Sequence, residues 1–73
     1  MTETKPDFEG VYRRLLIGSR VRLLHGASFS DATVMDKYIT EENVSVDLIL
    51  DNGTVLEHRN IFVGHQMVIT ILS

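Results

Sequence analysis

The chain contains no cysteine and no tryptophan, and it has a single proline among its 73 residues. The absence of cysteine excludes disulfide bonds and thiolate metal sites. A domain of this size has a core that supplies roughly 3–5 kcal/mol of net stability, so small domains commonly add a metal, a crosslink or a partner chain. With crosslinks excluded, we expect a well-packed core, self-association, or both.

Neither sign of charge dominates the composition. Seven Lys and Arg residues stand against ten Asp and Glu residues, which gives a formal net charge of −3. Proteins that bind duplex DNA through its phosphates are generally strongly basic, so the composition argues against that class. A local basic patch is still compatible with the composition, because net charge does not say where the charges lie.

Long apolar runs are also missing. No stretch approaches the ~20 residues that a membrane-spanning helix needs. Residues 1–5 are polar and lack the basic-then-apolar order of a signal peptide. We therefore predict a cytoplasmic protein with no membrane partner, a disordered N-terminus over residues 1–5, and one domain over residues 6–73.

The sequence also lacks the patterns that accompany catalysis and metal binding. His25, His58 and His65 do not stand at metal-ligand spacing from one another or from a carboxylate. There is no Gly-x-Ser-x-Gly motif and no cysteine nucleophile. We predict that the protein is not an enzyme, and that it has no catalytic residues, no metal site, no cofactor and no small-molecule substrate.

What the chain does contain is a helical pattern followed by strand patterns. A helix is predicted from about Pro6 until shortly before Gly18, because proline suits a first helical position and glycine a C-terminal stop. Its apolar stripe has the spacing i, i+3, i+4, i+7 and consists of Phe8, Val11, Tyr12 and Leu15.

Period-two alternation then predicts five strands separated by turns. The Asn52-Gly53 pair predicts a two-residue type I′ hairpin turn. One helix followed by five short antiparallel strands is a mainly β chain, typical of a small barrel. The last strand is apolar on both faces, which predicts that a second copy covers it. The five predicted strands are Ser19–His25, Ala32–Ile39, Val44–Leu50, Thr54–Val63 and Met67–Leu72.

The order of elements and two short segments resemble the Sm-like family, which comprises Sm, LSm and bacterial Hfq proteins. The first segment, Leu16–Gly26, alternates apolar residues around a glycine, and Asp36 and Asn43 correspond to the Asp and Asn that follow in the family. In the second segment, Ile61–Ile69, a glycine precedes an apolar strand, and Val63 stands where the family has a basic residue. The resemblance implies a five-stranded antiparallel SH3-like or Sm-like barrel with a short N-terminal helix.

The resemblance also implies a function: a homo-oligomeric ring, closed by pairing of the fourth strand with the neighbour's fifth strand, that binds single-stranded RNA through pore-lining loops. Loss of the basic residue at Val63 and the negative net charge predict weakened RNA affinity. The implied nucleic-acid-binding residues are Lys37, Tyr38, Asn43, Gly64, His65 and Gln66. The implied oligomer interface consists of Ile61, Val63, Met67, Val68, Ile69 and Ile71.

Two alternatives have no nucleic-acid role. One is an SH3-like or Tudor-like protein-interaction module, which we expect to be monomeric. The other is a ring that acts as an adaptor and is held together by the same strand pairing. An aromatic cage for modified side chains is not predicted, because the aromatic residues are spread along the chain at Phe8, Tyr12, Phe29, Tyr38 and Phe62.

Overall fold

The structure, a computed structural model that describes residues 6–73, confirms a mainly β chain with one short helix. The predicted disordered segment, residues 1–5, lies outside the described residues. Seven strands follow the helix in the described part of the chain. The elements are α1 (Phe8–Arg14), β1 (Arg20–His25), β2 (Ser28–Ile39), β3 (Val44–Leu50), β4 (Val55–Asn60), β5 (Phe62–Val63), β6 (Gln66–Met67) and β7 (Ile69–Ile71).

Helix α1 lies where the apolar stripe places it but is shorter than predicted. It begins after Asp7, whose carboxylate accepts a hydrogen bond from the backbone N–H of Gly10 at 3.0 Å and so caps the first turn. It ends at Arg14 because Leu15 has an extended backbone and is fully buried in the core. Gly18, with φ of 93°, lies in the turn beyond the helix rather than at its end.

Five strands form one antiparallel sheet in the order β4-β3-β2-β1-β7. Strand β3 has the predicted bounds, whereas β2 begins at Ser28 because a tight turn at Gly26-Ala27 pairs Ser28 directly with His25. The register between β2 and β3 shifts between Val34 and Asp36, which bends β2.

The β3–β4 turn differs from the predicted type I′ hairpin. Leu50 accepts a hydrogen bond from the N–H of Gly53 at 2.8 Å, and its own N–H donates to the carbonyl of Thr54 at 2.8 Å. Gly53 has φ of 91°, but Asn52 does not have the positive φ that a type I′ turn requires at both central positions. The connection is therefore a three-residue loop with glycine in its left-handed position.

Each of the last two predicted strands is divided in two. The chain leaves the main sheet at Ile61, which is fully buried, and returns to it after Val68. Between them, β5 and β6 form a separate two-stranded ribbon. The N–H of Val68 donates to the carbonyl of Ile61 at 2.8 Å and closes the base of this ribbon.

The expected closed barrel is not formed, since β4 and β7 lie at opposite edges of the five-stranded sheet. The physical reason is that residues 62–67, which would lengthen both edge strands, pair with each other instead. The core is covered on one side by α1 and by the ribbon, where the rings of Phe8 and Phe62 pack with centroids 5.1 Å apart.

The two faces of the sheet differ in character. The inner face, which packs against α1, holds the apolar core, and the outer face presents mostly polar side chains. Cross-strand partners share a face, so Val21 and Ala32 are inner whereas Arg22 and Asp31 are outer. The buried hydrophobic residues are Val11, Leu15, Val21, Leu23, Ala32, Val34, Val44, Val46, Leu48, Ile61, Phe62 and Ile69.

Candidate functional site: a cleft, an outer-face cluster and two open edges

Two of the segments predicted to bind nucleic acid meet in the structure. The loop between β2 and β3 approaches the turn between β5 and β6, and together they form a groove of about 250 Å³. Gly64, His65 and Gln66 are all exposed. We call this groove the loop–turn cleft; it is lined by Pro6, Phe8, Glu41, Glu42, Gly64 and His65.

Asn43 fastens the loop to the ribbon. Its side-chain amide donates to the carbonyl of Phe62 at 3.0 Å, and its side-chain oxygen accepts from the N–H groups of Phe62 at 3.2 Å and Val44 at 2.9 Å. These three bonds use both ends of the side chain. The predicted role at a nucleic-acid base would therefore require Asn43 to release backbone groups that it now satisfies.

Lys37 is directed towards the helix rather than into the cleft. Its ammonium donates to the carbonyl of Tyr12 at 2.7 Å and lies 4.3 Å from the centroid of the Tyr12 ring. Tyr12 lies in α1, so the cation serves an otherwise unpaired carbonyl near the negative end of the helix and also contacts an aromatic face. Lys37 thus links β2 to α1.

Tyr38 belongs to a cluster on the outer face that we call the Asp47 cluster, formed by Asp36, Tyr38, Asp47 and His58. The Tyr38 hydroxyl donates to Asp47 at 2.7 Å and lies 3.4 Å from Asp36. The Tyr38 ring stacks on the His58 ring, with centroids 4.1 Å apart and planes 20° apart. The aromatic ring of Tyr38, a predicted nucleic-acid-binding residue, is therefore stacked on another side chain of the same chain.

Asp47 organises this cluster through the backbone as well. The register between β3 and β4 shifts between Val46 and Leu48, so Asp47 faces a bulge in β4. His58, in the bulge, has φ of 50°, and among the described residues other than glycine no other has a positive φ. Its N–H donates to the Asp47 carboxylate at 2.9 Å instead of continuing the ladder.

These contacts shift two pKa values in opposite directions. The hydrogen bond from the His58 N–H, and then that from the Tyr38 hydroxyl, lower the pKa of Asp47. The hydrogen bond to Asp47, followed by burial and by the charges of Asp36 and Asp47, raises the pKa of Tyr38 to about 12. The pair is therefore a neutral phenol on an ionised carboxylate at neutral pH.

The basic residues of β1 are neutralised on the outer face. Arg20 binds Asp51 through two hydrogen bonds of 2.7 and 2.8 Å and also reaches Thr33 at 3.0 Å. Arg22 binds Asp31 at 2.8 and 3.3 Å. Each hydrogen bond lowers the pKa of its carboxyl group. The two arginines are therefore both held in ion pairs with carboxylates of the same face.

The predicted interface residues have very different exposure. Ile61 and Ile69 are 0% and 4% exposed, so their side chains are already covered within the chain, whereas Val63 is 68% exposed in the ribbon. Met67, Val68 and Ile71 are half-buried. These residues are spread between the ribbon and β7, so no single face unites all six.

Sequence reasoning did not select the apolar residues exposed at the edges of the main sheet. Val55 on β4 is 50% exposed, and Leu72, directly after β7, is 44% exposed. Both lie on the outer face, because Val55 is opposite Ile49 and Leu72 bonds to Arg20 through its N–H at 2.8 Å. Their alternation with inner residues was visible in the sequence, but their positions at open edges were not.

Within residues 6–73, no group of three or more His, Cys, Asp or Glu side chains is arranged to hold a metal ion. In the same residues, no helix is long and apolar enough to cross a membrane. Comparison with known proteins found no matching family model, no matching curated protein and no matching solved structure.

Proposed function

We propose that this protein is a self-assembling module of Sm-like strand order, whose copies join edge to edge into a closed oligomer that acts as a scaffold. The observation that supports this most directly is the pair of open edges. The two strands at these edges, β4 and β7, are the ones that the family resemblance pairs between subunits. A repeated head-to-tail joint of this kind closes into a ring when the rotation per subunit allows it.

Strand β7 offers a short edge whose outward-facing backbone groups have no hydrogen-bond partner among residues 6–73. Leu24 donates to the carbonyl of Val68 and Leu72 donates to the carbonyl of Arg20, each at 2.8 Å, so alternate residues of this segment bond to β1. By the antiparallel pattern, the N–H and C=O groups of Ile69 and Ile71 point away from β1, towards the open edge. Their side chains lie on the inner face.

Strand β4 offers an edge of matching length. The bond between Leu50 and Thr54 sets the pattern, so the backbone groups of Val55 and Glu57 point away from β3. The bulge at His58 then interrupts the pattern. The regular part of this edge is therefore Val55–Glu57, three residues long, like β7.

The alternation of these groups defines an antiparallel joint between two copies. Val55 would lie opposite Ile71 of the neighbouring copy, and Glu57 opposite its Ile69. In an antiparallel pair, two residues that exchange hydrogen bonds must both point their N–H and C=O groups into the joint. Side chains of directly opposite residues lie on the same side of a sheet. The outer face of β4 would therefore be continuous with the inner face of β7 in the neighbouring copy. This inversion would cover the exposed Val55 with a neighbouring isoleucine, which favours a second copy as the partner.

Assembly is tested by light scattering after gel filtration, with two variants at one position. Ile71→Pro removes an N–H that faces the joint and leaves the ladder to β1 intact, as proline is tolerated at an edge. Ile71→Ala loses similar apolar area but keeps that N–H. We expect an oligomer for the wild type and for Ile71→Ala, and a monomer for Ile71→Pro. A wild type that stays monomeric at high concentration would refute the proposal.

The direction of the joint is tested with engineered cysteines, for which this cysteine-free chain is suited. In a mixture of Val55→Cys and Ile71→Cys proteins, the antiparallel joint predicts a disulfide between copies. A mixture of Val55→Cys and Leu72→Cys proteins is the matched control, since a parallel joint would keep those two residues on one face. Preferential crosslinking of the control pair would exclude the antiparallel arrangement.

Binding of single-stranded RNA is the second candidate function, favoured by the exposed turn Gly64–Gln66 beside the loop–turn cleft. Glu41 and Glu42 line the same cleft, so we expect weak affinity that falls steeply with salt. Fluorescence anisotropy with uridine-rich and adenine-rich oligonucleotides measures this, and His65→Ala should reduce it. Absence of binding at low salt would remove this function and leave the scaffold.

A further inference from the structure

One groove of the molecule lies on the inner face, between side chains of β1, β3 and β4. Its walls include Leu50 and Leu56, both half-buried and therefore still in contact with water. Its volume is about 210 Å³. We call it the leucine groove; it is lined by Leu23, His25, Leu50, Leu56 and Arg59.

The charge of the leucine groove is opposite to that of the chain as a whole. Three other surface grooves each contain carboxylates, from Glu41 and Glu42 in one and from Asp31 and Asp51 in the others. The leucine groove contains none, although the chain has ten acidic residues and seven basic ones. Among the described residues that line the groove, Arg59 is the one with a permanent charge.

Arg59 is available to a ligand. Among residues 6–73, the ion pairs hold Arg13, Arg20 and Arg22, and Arg59 is in none of them. Arg59 follows the bulge in β4 and pairs with the buried Val46, which places it on the inner face with the leucines. An arginine fork binds a carboxylate through two parallel hydrogen bonds, so the groove combines an apolar wall with a carboxylate-binding group.

We propose that the leucine groove binds a small free aliphatic carboxylate, with its chain against Leu50 and Leu56 and its carboxylate on the guanidinium of Arg59. The volume is below that of pockets for drug-sized ligands, which favours a single short chain. Water-exposed leucine walls favour an apolar ligand, and the lone arginine favours an anionic end. The site goes beyond the assembly function, because it lies on the inner face of one copy.

The test is an NMR titration of the ¹⁵N-labelled wild-type protein with octanoate at neutral pH, alongside octylamine and octanol. These probes share one chain and differ in the charge of the head group. We expect saturable octanoate shifts at Leu50, Leu56 and Arg59, at least about tenfold weaker binding of octanol, and no saturable binding of octylamine. Equal binding of octanol and octanoate, or shifts located elsewhere, would overturn the proposal.

Two arginine variants test the role assigned to the guanidinium. Arg59→Gln should weaken octanoate binding about tenfold or more, because it removes the charged fork but retains a polar side chain of similar length. Arg14→Gln removes an equal charge from the exposed surface of α1 and should leave binding unchanged. Unchanged binding in Arg59→Gln, or an equal loss in both variants, would contradict the assignment. Neither substitution alters the core, so we expect both variants to fold. Well-dispersed NMR spectra would confirm this.

Discussion

Replacement of Asn43 by alanine distinguishes a structural from a ligand-binding role at this position. The substitution removes three hydrogen bonds and leaves two backbone N–H groups and one carbonyl, on Val44 and Phe62, without these partners. A buried polar group left without a partner costs about 1–3 kcal/mol. Asn43 is half-buried, so water restores part of this loss, and we expect a total of about 2–4 kcal/mol.

That loss is comparable to the roughly 3–5 kcal/mol that the core of such a small domain supplies. Asn43→Ala is therefore expected to keep only about 1 kcal/mol of net stability and to be partly unfolded at physiological temperature. Urea unfolding followed by circular dichroism measures the change, with the midpoint and the slope compared between variant and wild type. Protein concentration must be matched in these measurements, because assembly would add to the apparent stability.

Two further variants serve as comparisons for Asn43→Ala. Asn43→Asp keeps an oxygen for both N–H groups and loses only the bond to the Phe62 carbonyl, so it should be less destabilised than Asn43→Ala. Gln66→Ala removes an exposed amide from the same region and should change stability by less than about 0.5 kcal/mol. If Asn43→Ala is as stable as Gln66→Ala, the clamp between the loop and the ribbon is refuted.

Three other predictions concern the core, the β3–β4 turn and the Asp47 cluster. Leu48→Ala should lower the free energy of unfolding by about 2–5 kcal/mol, since Leu48 is fully buried; a urea midpoint close to wild type would contradict its central place in the core. Gly53→Ala should lower the free energy of unfolding by about 1–2 kcal/mol, because Gly53 has φ of 91° and an alanine there would be strained. The space around Gly53 is open, so the added methyl group would meet no clash. A thermal stability equal to that of the wild type would exclude this strain. The Tyr38 phenol should ionise near pH 12, and in Asp47→Asn its pKa should fall towards 10.0, measured by ultraviolet titration in a background that lacks the other tyrosine.

The same cluster sets two limits on stability as a function of pH. Folding lowers the pKa of Asp47. The contribution of Asp47 to folding stability is therefore present above pH 3.8, the ordinary pKa of an aspartate, and is lost as the pH falls through the lower pKa of the folded state. The pKa of Tyr38 is raised by folding, so its contribution is complete below pH 10 and is lost as pH rises through about 12. Asp47→Asn should flatten both limbs of the measured profile.

Patterns of local origin were readable in the sequence. The apolar stripe containing Phe8 and Val11 located the helix, and period-two alternation located β3 with the bounds that the structure has. The carboxylate of Asp7 caps the helix by accepting a hydrogen bond from Gly10, only three residues away. The start of the helix could therefore also have been predicted from the local sequence. Periodicity succeeds here because it depends on which side of one element faces the core.

The candidate site was less accessible to sequence reasoning. The sequence selected Lys37, Tyr38 and Asn43 as polar or aromatic residues near a loop, but their partners Tyr12, His58 and Phe62 lie far away along the chain. Whether a side chain is free to bind a ligand depends on such distant partners. The same applies to Arg59, which no motif selected and which the bulge in β4 places beside the leucine groove.

By itself, the sequence determined a cysteine-free, mainly β chain with a short amphipathic helix, alternating strands and a mildly negative charge, because each of these follows from composition or from the period of one element. Only the tertiary structure decided that the sheet stays open, that residues 62–67 form their own ribbon, and that three side chains predicted to bind nucleic acid have partners within the chain. These outcomes depend on competition between distant segments for the same hydrogen bonds and the same apolar surface, and local pattern does not record the result of that competition.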